Sequence, residues 1–372
     1  MTAKSGERVI IALSGGVDSA VAALLLVEAG WEVHGLFMSN WDDADRYCTA
    51  AQDFQDARAV ARELSIPLHR VNFAAHYRER VFTHFLAEHR AGRTPNPDVL
   101  CNREVKFGVA QRYARRLGGH WLATGHYARV LHTAAGPELH KARDRAKDQT
   151  YFLHAVAPAD LVRVLMPVGE LHKQQVRERA RSAGLPVFDK PDSTGICFIG
   201  ERPFRDFLAR YIACEPGPIE TPAGERIGTH QGLAFYTLGQ RGGLGLGGRR
   251  GAQEAPWYVA AKIPGRNALI AVQGHDHPLL SARGLITEDL HWLLPAPDTP
   301  LRCTVRVRHR HADQPATVEV LPGGGTRIRF DEPQRALTPG QSAVLYAGER
   351  CLGGGTIAHV EDIAEAAQPD AA

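Results

Sequence analysis

The sequence lacks what would send it to a membrane, a secretory route or a metal scaffold. No stretch of its 372 residues approaches the ~18 consecutive apolar residues that a membrane helix needs, and residues 1–6, MTAKSG, have no apolar signal-peptide core. Six cysteines, at 48, 101, 197, 214, 303 and 351, stand far apart with no C-x-x-C among them, which excludes a disulfide framework and a zinc ribbon alike. A strong charge of either sign is missing too: 44 Lys and Arg against 41 Asp and Glu leave a formal net charge of +3. That permits a polyanionic partner without demanding one. The expectation is a cytoplasmic protein with mostly reduced thiols, no membrane contact and no resident metal.

At 44% hydrophobic and 23% charged the composition is that of a globular chain, and 372 residues exceed one compact core, so two or three domains are expected. Residues 8–13, RVIIAL, form a β-branched apolar run ending in Ser14-Gly15-Gly16. From Val17 the pattern turns helical, with Val17, Ala20, Val21, Leu24 and Leu25 on one stripe and Gly30 placed to stop it. WEVHGLFM, residues 31–38, reads as a second buried strand, so the start of the chain is a βαβ unit and predicts an α/β domain with a parallel sheet. Helices near 51–64, 77–91, 104–117 and 171–183 continue the alternation to about residue 200. Beyond it, WYVAAKI and NALIAVQG flank PGR as a hairpin in a small β-rich module. From about 284, short strands with Gly and Pro turns predict a C-terminal β-barrel or sandwich. The expected units are therefore 1–200, 201–283 and 284–361, with a disordered tail at 362–372.

The loop after the first strand, SGGVDS at 14–19, has the glycines and the helix start of a phosphate cradle but no lysine. Backbone amides and the helix dipole still attract an anion. Asp18 cannot hold phosphate itself, but it can hold a Mg²⁺ ion that bridges phosphates, and Ser14 and Ser19 can donate hydroxyl hydrogen bonds. Such a loop suits ATP cleaved between its α- and β-phosphates. The competing reading is an ordinary strand–turn–helix corner capped by Ser19. The complete S-G-G-x-D-S motif, set between a buried strand and an amphipathic helix, favours phosphate. SGGVDS resembles the pyrophosphate loop of the ATP pyrophosphatases, which adenylate a carbonyl oxygen.

Two cysteines sit in unusual segments. GRTPNPDVLCN, residues 92–102, sets Cys101 after a proline-locked turn, and DSTGICFIG, residues 192–200, sets Cys197 after a Thr-Gly turn. Spacing alone leaves both as buried, inert thiols. Together with ATGHYARV, KDQTYFL and the stretch around LGQRGGLGLGG, however, these segments resemble the bacterial tRNA-specific 2-thiouridylases from about residue 8 to 360.

That resemblance implies a chemistry. ATP, with Mg²⁺, adenylates O2 of the wobble uridine of a tRNA, and Cys197 delivers sulfur from a persulfide loaded by a sulfur-relay donor protein. Cys101 closes a transient disulfide with Cys197. Asp98 would hold or protonate the base, with Asn96 and Pro97 lining the same pocket. The ATP site would use Ala12, Leu13, Ser14, Gly15, Gly16, Val17, Asp18 and Ser19, with Met38 against the adenine and Gly125. Contacts to tRNA would come from His126, Lys147, Asp148, Gln149, Arg308, His309 and Gln341; the family has an aromatic at position 309, where an imidazole can still stack.

LRCTVRVRHRH, residues 301–311, also places Arg302, Arg306, Arg308 and Arg310 at even positions, which on a strand would form a one-sided cation ladder for phosphates. Two rivals stand beside the thiolase reading. An amidating ligase would use ammonia and ignore both cysteines, and an idle RNA-binding protein would bind tRNA without consuming ATP.

Overall fold

A computed structural model of the chain describes residues 6–41, 50–192, 204–247, 255–298, 300–322 and 324–361, the side chain of residue 289 excepted. Cys48, Cys197 and the expected tail at 362–372 lie outside the described residues. The first apolar run forms β1 (Arg8–Ala12), with Val9, Ile10 and Ile11 fully buried. Both of its edges are paired and both faces covered, so an unalternating run fits it. β2 (Glu32–Ser39), β3 (Leu68–Asn72), β4 (Trp121–Ala123) and β7 (Val164–Leu165) complete a parallel sheet in the order β3-β2-β1-β4-β7. The order reverses between β1 and β4, and a reversal of this kind opens a crevice at the carboxyl ends of the strands.

The helix Val17–Glu28 leaves β1 at that crevice and packs against Val176 and Ala180 of the helix Lys173–Ser182. The two helical runs expected in the middle of the domain are present, but each contains a π segment. One is Arg78–Phe82, between Ala74–Tyr77 and Thr83–Arg90; the other is Cys101–Val109, between Pro97–Leu100 and Ala110–Arg116. Segments of this kind frequently accompany functional sites, and Cys101 opens the second.

The central module is a four-stranded sheet, with β8 (Gly217–Glu220), β9 (Arg226–His230), β10 (Trp257–Ile263) and β11 (Ala268–Gln273) in the order β10-β11-β8-β9. β10 and β11 form the expected hairpin around Pro264–Arg266. The C-terminal strands β12 (Ser281–Trp292), β13 (Leu301–Arg306), β14 (Gln314–Val320), β15 (Thr326–Arg335), β16 (Ser342–Ala347) and β17 (Arg350–Glu361) run β12-β15-β14-β13-β16-β17. β17 pairs back to β12 and closes a six-stranded barrel. A hairpin absent from the sequence reading, β5 (Ala128–Thr133) and β6 (Gly136–Lys141), leaves the parallel domain and joins the barrel by pairing His140 with Arg350.

At this joint the structure corrects the cation ladder. The strand ends at Arg306, so Arg308 and Arg310 leave its face. Arg302 makes two 2.8 Å hydrogen bonds to Asp331. Arg306 is buried and donates to Asp148 (3.0 Å) and Asp313 (2.7 Å), while Lys141 also pairs with Asp313. Asp148, 1% exposed, further accepts from the N–H of Ala142 and the hydroxyl of Thr150. The side-chain oxygens of Asp148 are thus committed inside the protein, which leaves its backbone for any contact with tRNA.

Truncating Arg306 would leave Asp148 charged and unpaired. Arg306→Met should therefore destabilise the chain by about 3–5 kcal/mol in denaturant unfolding, whereas Arg302→Met, on an exposed pair, should leave the unfolding midpoint nearly unchanged. His154 provides a pH test. It is 3% exposed and lies where a β-carbon on Gly354 would stand 2.7 Å from its ring. Burial holds its pKa at about 4, against the opposing bond to the Tyr151 carbonyl and with help from the nearby His291 and Arg103 charges. The folded pKa lies below the unfolded 6.5, so its contribution is full above pH 6.5 and is lost as pH falls through 4. Stability measured at pH 7 and pH 4 should differ by up to roughly 3 kcal/mol more in the wild type than in His154→Gln.

Candidate active site

Leu13, whose N–H donates to the Leu36 carbonyl (2.9 Å), hands β1 over to the glycine loop. Gly15 takes φ +82°, and a β-carbon there would stand 2.3 Å from the Asp53 carbonyl, so only glycine fits. Gly16, not Ser19, is the N-cap of the helix Val17–Glu28. Ser19 Oγ instead donates to the Gly16 carbonyl (2.9 Å), accepts from the Ser14 N–H (3.2 Å) and lies 3.1 Å from Ser14 Oγ, bracing the loop from within. The first amides of the helix are left without intrahelical acceptors, as an anion site requires. Gly125, following β4, closes over this turn: its β-carbon would stand 2.6 Å from Ser19 N. Met38 is the next-to-last residue of β2, opposite Val71.

The charge missing from the loop arrives from elsewhere in the chain. Lys173, 155 residues from Asp18, places Nζ 2.6 Å from Asp18 Oδ1. The same oxygen accepts from the Tyr127 hydroxyl (2.8 Å), and no described residue donates to Oδ2. Burial and the Asp18 charge push the Tyr127 phenol up, so it stays a donor. Lys173 also pairs with Asp192 (2.7 Å), which Lys147 (2.7 Å) and Arg177 (2.9 Å) share. Burial would raise the Asp192 carboxyl, but hydrogen bonds from Lys147 and Lys173 overcome it and hold the pKa at about 2. Lys190 bonds the Gly15 carbonyl (3.1 Å) and pairs with Asp53 and Asp56. None of Lys173, Asp192, Tyr127 and Lys190 was singled out from sequence. Its one hint was the charge deficit of an acid in a loop without lysine.

The Cys101 segment is held from three sides. Asn96 caps the turn by accepting from the Asp98 N–H (3.1 Å), with Pro97 in the first helical position. Gln341 of the barrel donates to the Thr94 carbonyl (2.7 Å), at the entry to the turn. Lys106, in the same π segment as Cys101, lies 3.4 Å from His126 Nε2. His126 is buried and neutral, its pKa pushed well down by burial and by Lys106. Lysine only donates, so Nε2 accepts and Nδ1–H donates to Thr124 Oγ1 (2.9 Å). Cys101 itself is fully buried. A cavity of 420 Å³ between the turn and the barrel is lined by Asn96 and Pro97, with Asp98 and Cys101 absent from its lining.

The remaining residues expected to contact tRNA each bond or pack within the protein. Gln149 exchanges hydrogen bonds of 2.8 Å with the Tyr127 backbone, linking it to the residue that binds Asp18. His309 packs its ring 4.5 Å from that of Phe152. Arg308 Nη2 donates to the carbonyls of Leu238 and Ala336 and to the Thr338 hydroxyl, joining the central module to the barrel. Lys147 stays on Asp192.

Three family models match successive parts of the chain: a tRNA methyl transferase HUP domain over residues 7–201, a tRNA methyl transferase PRC-barrel domain over 205–273 and an aminomethyltransferase beta-barrel domain over 282–357. The chain is similar to the tRNA-specific 2-thiouridylase MnmA of Chromohalobacter salexigens, with 56% identity over 353 residues, covering 94% of this chain and 92% of that protein. It belongs to the tRNA-specific 2-thiouridylase family. Similar family members include those of Vibrio cholerae, 53% identical over 96% of this chain and 97% of that protein, and Alkalilimnicola ehrlichii, 55% identical over 94% and 97%.

For this 2-thiouridylase family member the crowded approach at Gly125 gives a direct check. Gly125→Ala puts a methyl against the first helical turn, so ATP affinity should fall by about tenfold or more while tRNA affinity stays within about twofold. Titration calorimetry with each ligand separates the two.

Proposed function

We propose that this chain is an ATP-dependent tRNA-uridine 2-sulfurtransferase acting on the wobble uridine. The observation that carries the reading is the braced Ser14–Ser19 loop, at the switch point of a parallel sheet, in a chain of the tRNA-specific 2-thiouridylase family. ATP binds with its polyphosphate against the loop amides and Met38 beside the adenine. Among the described residues no cluster of three or more His, Cys, Asp or Glu is placed to hold a metal ion. The fit for Mg²⁺ is therefore as a companion of ATP, with Asp18 Oδ2 as the protein oxygen toward it. When bound there it neutralises phosphate charge.

Uridine O2 attacks the α-phosphorus. The O2–P bond forms, the bond to the bridging oxygen breaks with its electron pair leaving on pyrophosphate, and the N3 proton passes to solvent. A carbonyl that resists sulfur becomes an adenylate with AMP as leaving group. The terminal sulfur of a Cys197 persulfide, supplied by a sulfur-relay protein, then attacks C2 and expels AMP. The Cys101 thiolate attacks Cys197 Sγ, forming the Cys101–Cys197 disulfide and releasing 2-thiouridine as its thiolate. A reducing thiol returns both cysteines for the next turnover. Asp98, Asn96 and Pro97 serve the base, and His126, Lys147, Gln149, Arg308, His309 and Gln341 serve the tRNA, on the strength of the family motifs. The three units are the catalytic domain to about residue 200, the central module to about 283 and the barrel beyond. The setting is cytoplasmic, where thiols are kept reduced.

Cys197→Ser should bind tRNA and release pyrophosphate in a single turnover yet form no 2-thiouridine. Cys101→Ser should also stop persulfide-driven thiolation, with partial rescue by added sulfide. Wild type after one turnover without reductant should yield a Cys101–Cys197 cross-linked peptide by mass spectrometry. Full thiolation by either serine variant would overturn the sulfur-transfer scheme and bring forward the amidating ligase.

A further inference from the structure

A phosphate loop that carries an acid and no lysine needs a cation from outside the motif, and the network around Asp18 contains one placed to serve. Lys173 sits at the first position of its helix, its backbone N–H fixed by Asp144 Oδ2 (2.9 Å), with its side chain only 12% exposed. Its ammonium lies between two carboxylates, 2.6 Å from Asp18 and 2.7 Å from Asp192. An ammonium has three donors, and these two contacts use two of them. Lys147 and Arg177 also pair with Asp192, so its charge does not rest on Lys173 alone, and Lys173 is the lysine in contact with the acid of the loop.

Resting on the ATP pyrophosphatase reading above, we propose that Lys173 is a catalytic residue that binds the departing pyrophosphate of ATP. Carboxylates occupy the ammonium in the resting protein, and phosphate oxygens take over its third donor when nucleotide enters. As the bond from the α-phosphorus to its bridging oxygen breaks, the electron pair develops on the pyrophosphate beside Nζ. A preorganised charge there stabilises the transition state more than the ground state. Lys190 does not compete for this role. It is committed to the Gly15 carbonyl and to Asp53 and Asp56, which hold the loop itself.

The test uses the full-length protein with Mg²⁺ and inorganic pyrophosphate as the calorimetric probe, beside tRNA-dependent pyrophosphate release. Lys173→Gln should lower pyrophosphate affinity about tenfold or more and the release rate on the order of a hundredfold, with kcat falling more than the KM for ATP rises. Lys173→Arg, which keeps the charge and the ion pairs, should recover most of the pyrophosphate affinity. Arg177→Gln, which removes a partner of Asp192 without touching Asp18, should bind pyrophosphate within about twofold of wild type. Unchanged pyrophosphate affinity in Lys173→Gln would overturn the assignment, as would equal losses in Lys173→Gln and Arg177→Gln. A folded Lys173→Arg as weak as Lys173→Gln would also overturn it. Failure of the wild type to bind either pyrophosphate or ATP would instead overturn the nucleotide reading itself.

Discussion

A carboxylate at the positive end of a helix, beside glycines that must let phosphate approach, is stabilised by the helix dipole but repels the ligand the loop is shaped for. Asp18 meets this conflict through long-range partners. Tyr127 and Lys173 reach the same oxygen from segments 109 and 155 residues away, and the second also neutralises Asp192. Each brings a whole element with it. Tyr127 belongs to the loop after β4, and Lys173 opens the helix that packs on Val17–Glu28. The electrostatic requirement of one loop residue thus coincides with the contacts that assemble the catalytic domain.

The same chain of bonds continues outward. The Tyr127 N–H donates to the Gln149 side-chain oxygen and its carbonyl accepts from the Gln149 N–H; the neighbouring Asp148 is buried against Arg306 of the barrel; and Arg306 shares Asp313 with Lys141 of the β5–β6 hairpin. Each step alone is ordinary. In series they form a contiguous set of side chains from the loop to the barrel, with Tyr127, Lys141, Asp148 and Arg306 buried.

How much of this was legible in the sequence follows from how local each signal is. The βαβ start was readable because strand burial, glycine turn and helical stripe all lie within 30 residues. The hairpin around PGR and the Gly15–Gly16 turn were readable for the same reason. The cation ladder failed because alternation gives a face only while the strand lasts, and β13 stops at Arg306. Beyond that residue the backbone turns and the even positions no longer share a side. Alternation also could not reveal that Arg306 has a buried acid waiting in a different domain. Lys173 and Asp192 were illegible for a related reason: a lysine in KQQVRERARS looks like any solvated helix start until the fold sets it against Asp18.

The cysteine chemistry sits at the boundary between these cases. The proline-locked turn before Cys101 was visible locally, yet its consequence for Cys101 is three-dimensional. Proline fixes the start of the helix, the run passes into a π segment at Cys101, and Lys106 within that segment points to His126. A π segment rotates later side chains relative to an α-helix of the same length, so Cys101 and Lys106 are offset differently from the way an α-helix would set them. His126 is neutral, so Lys106 meets an acceptor there that adds no negative charge of its own, and the segment that carries the thiol is tied through it to the loop after β4.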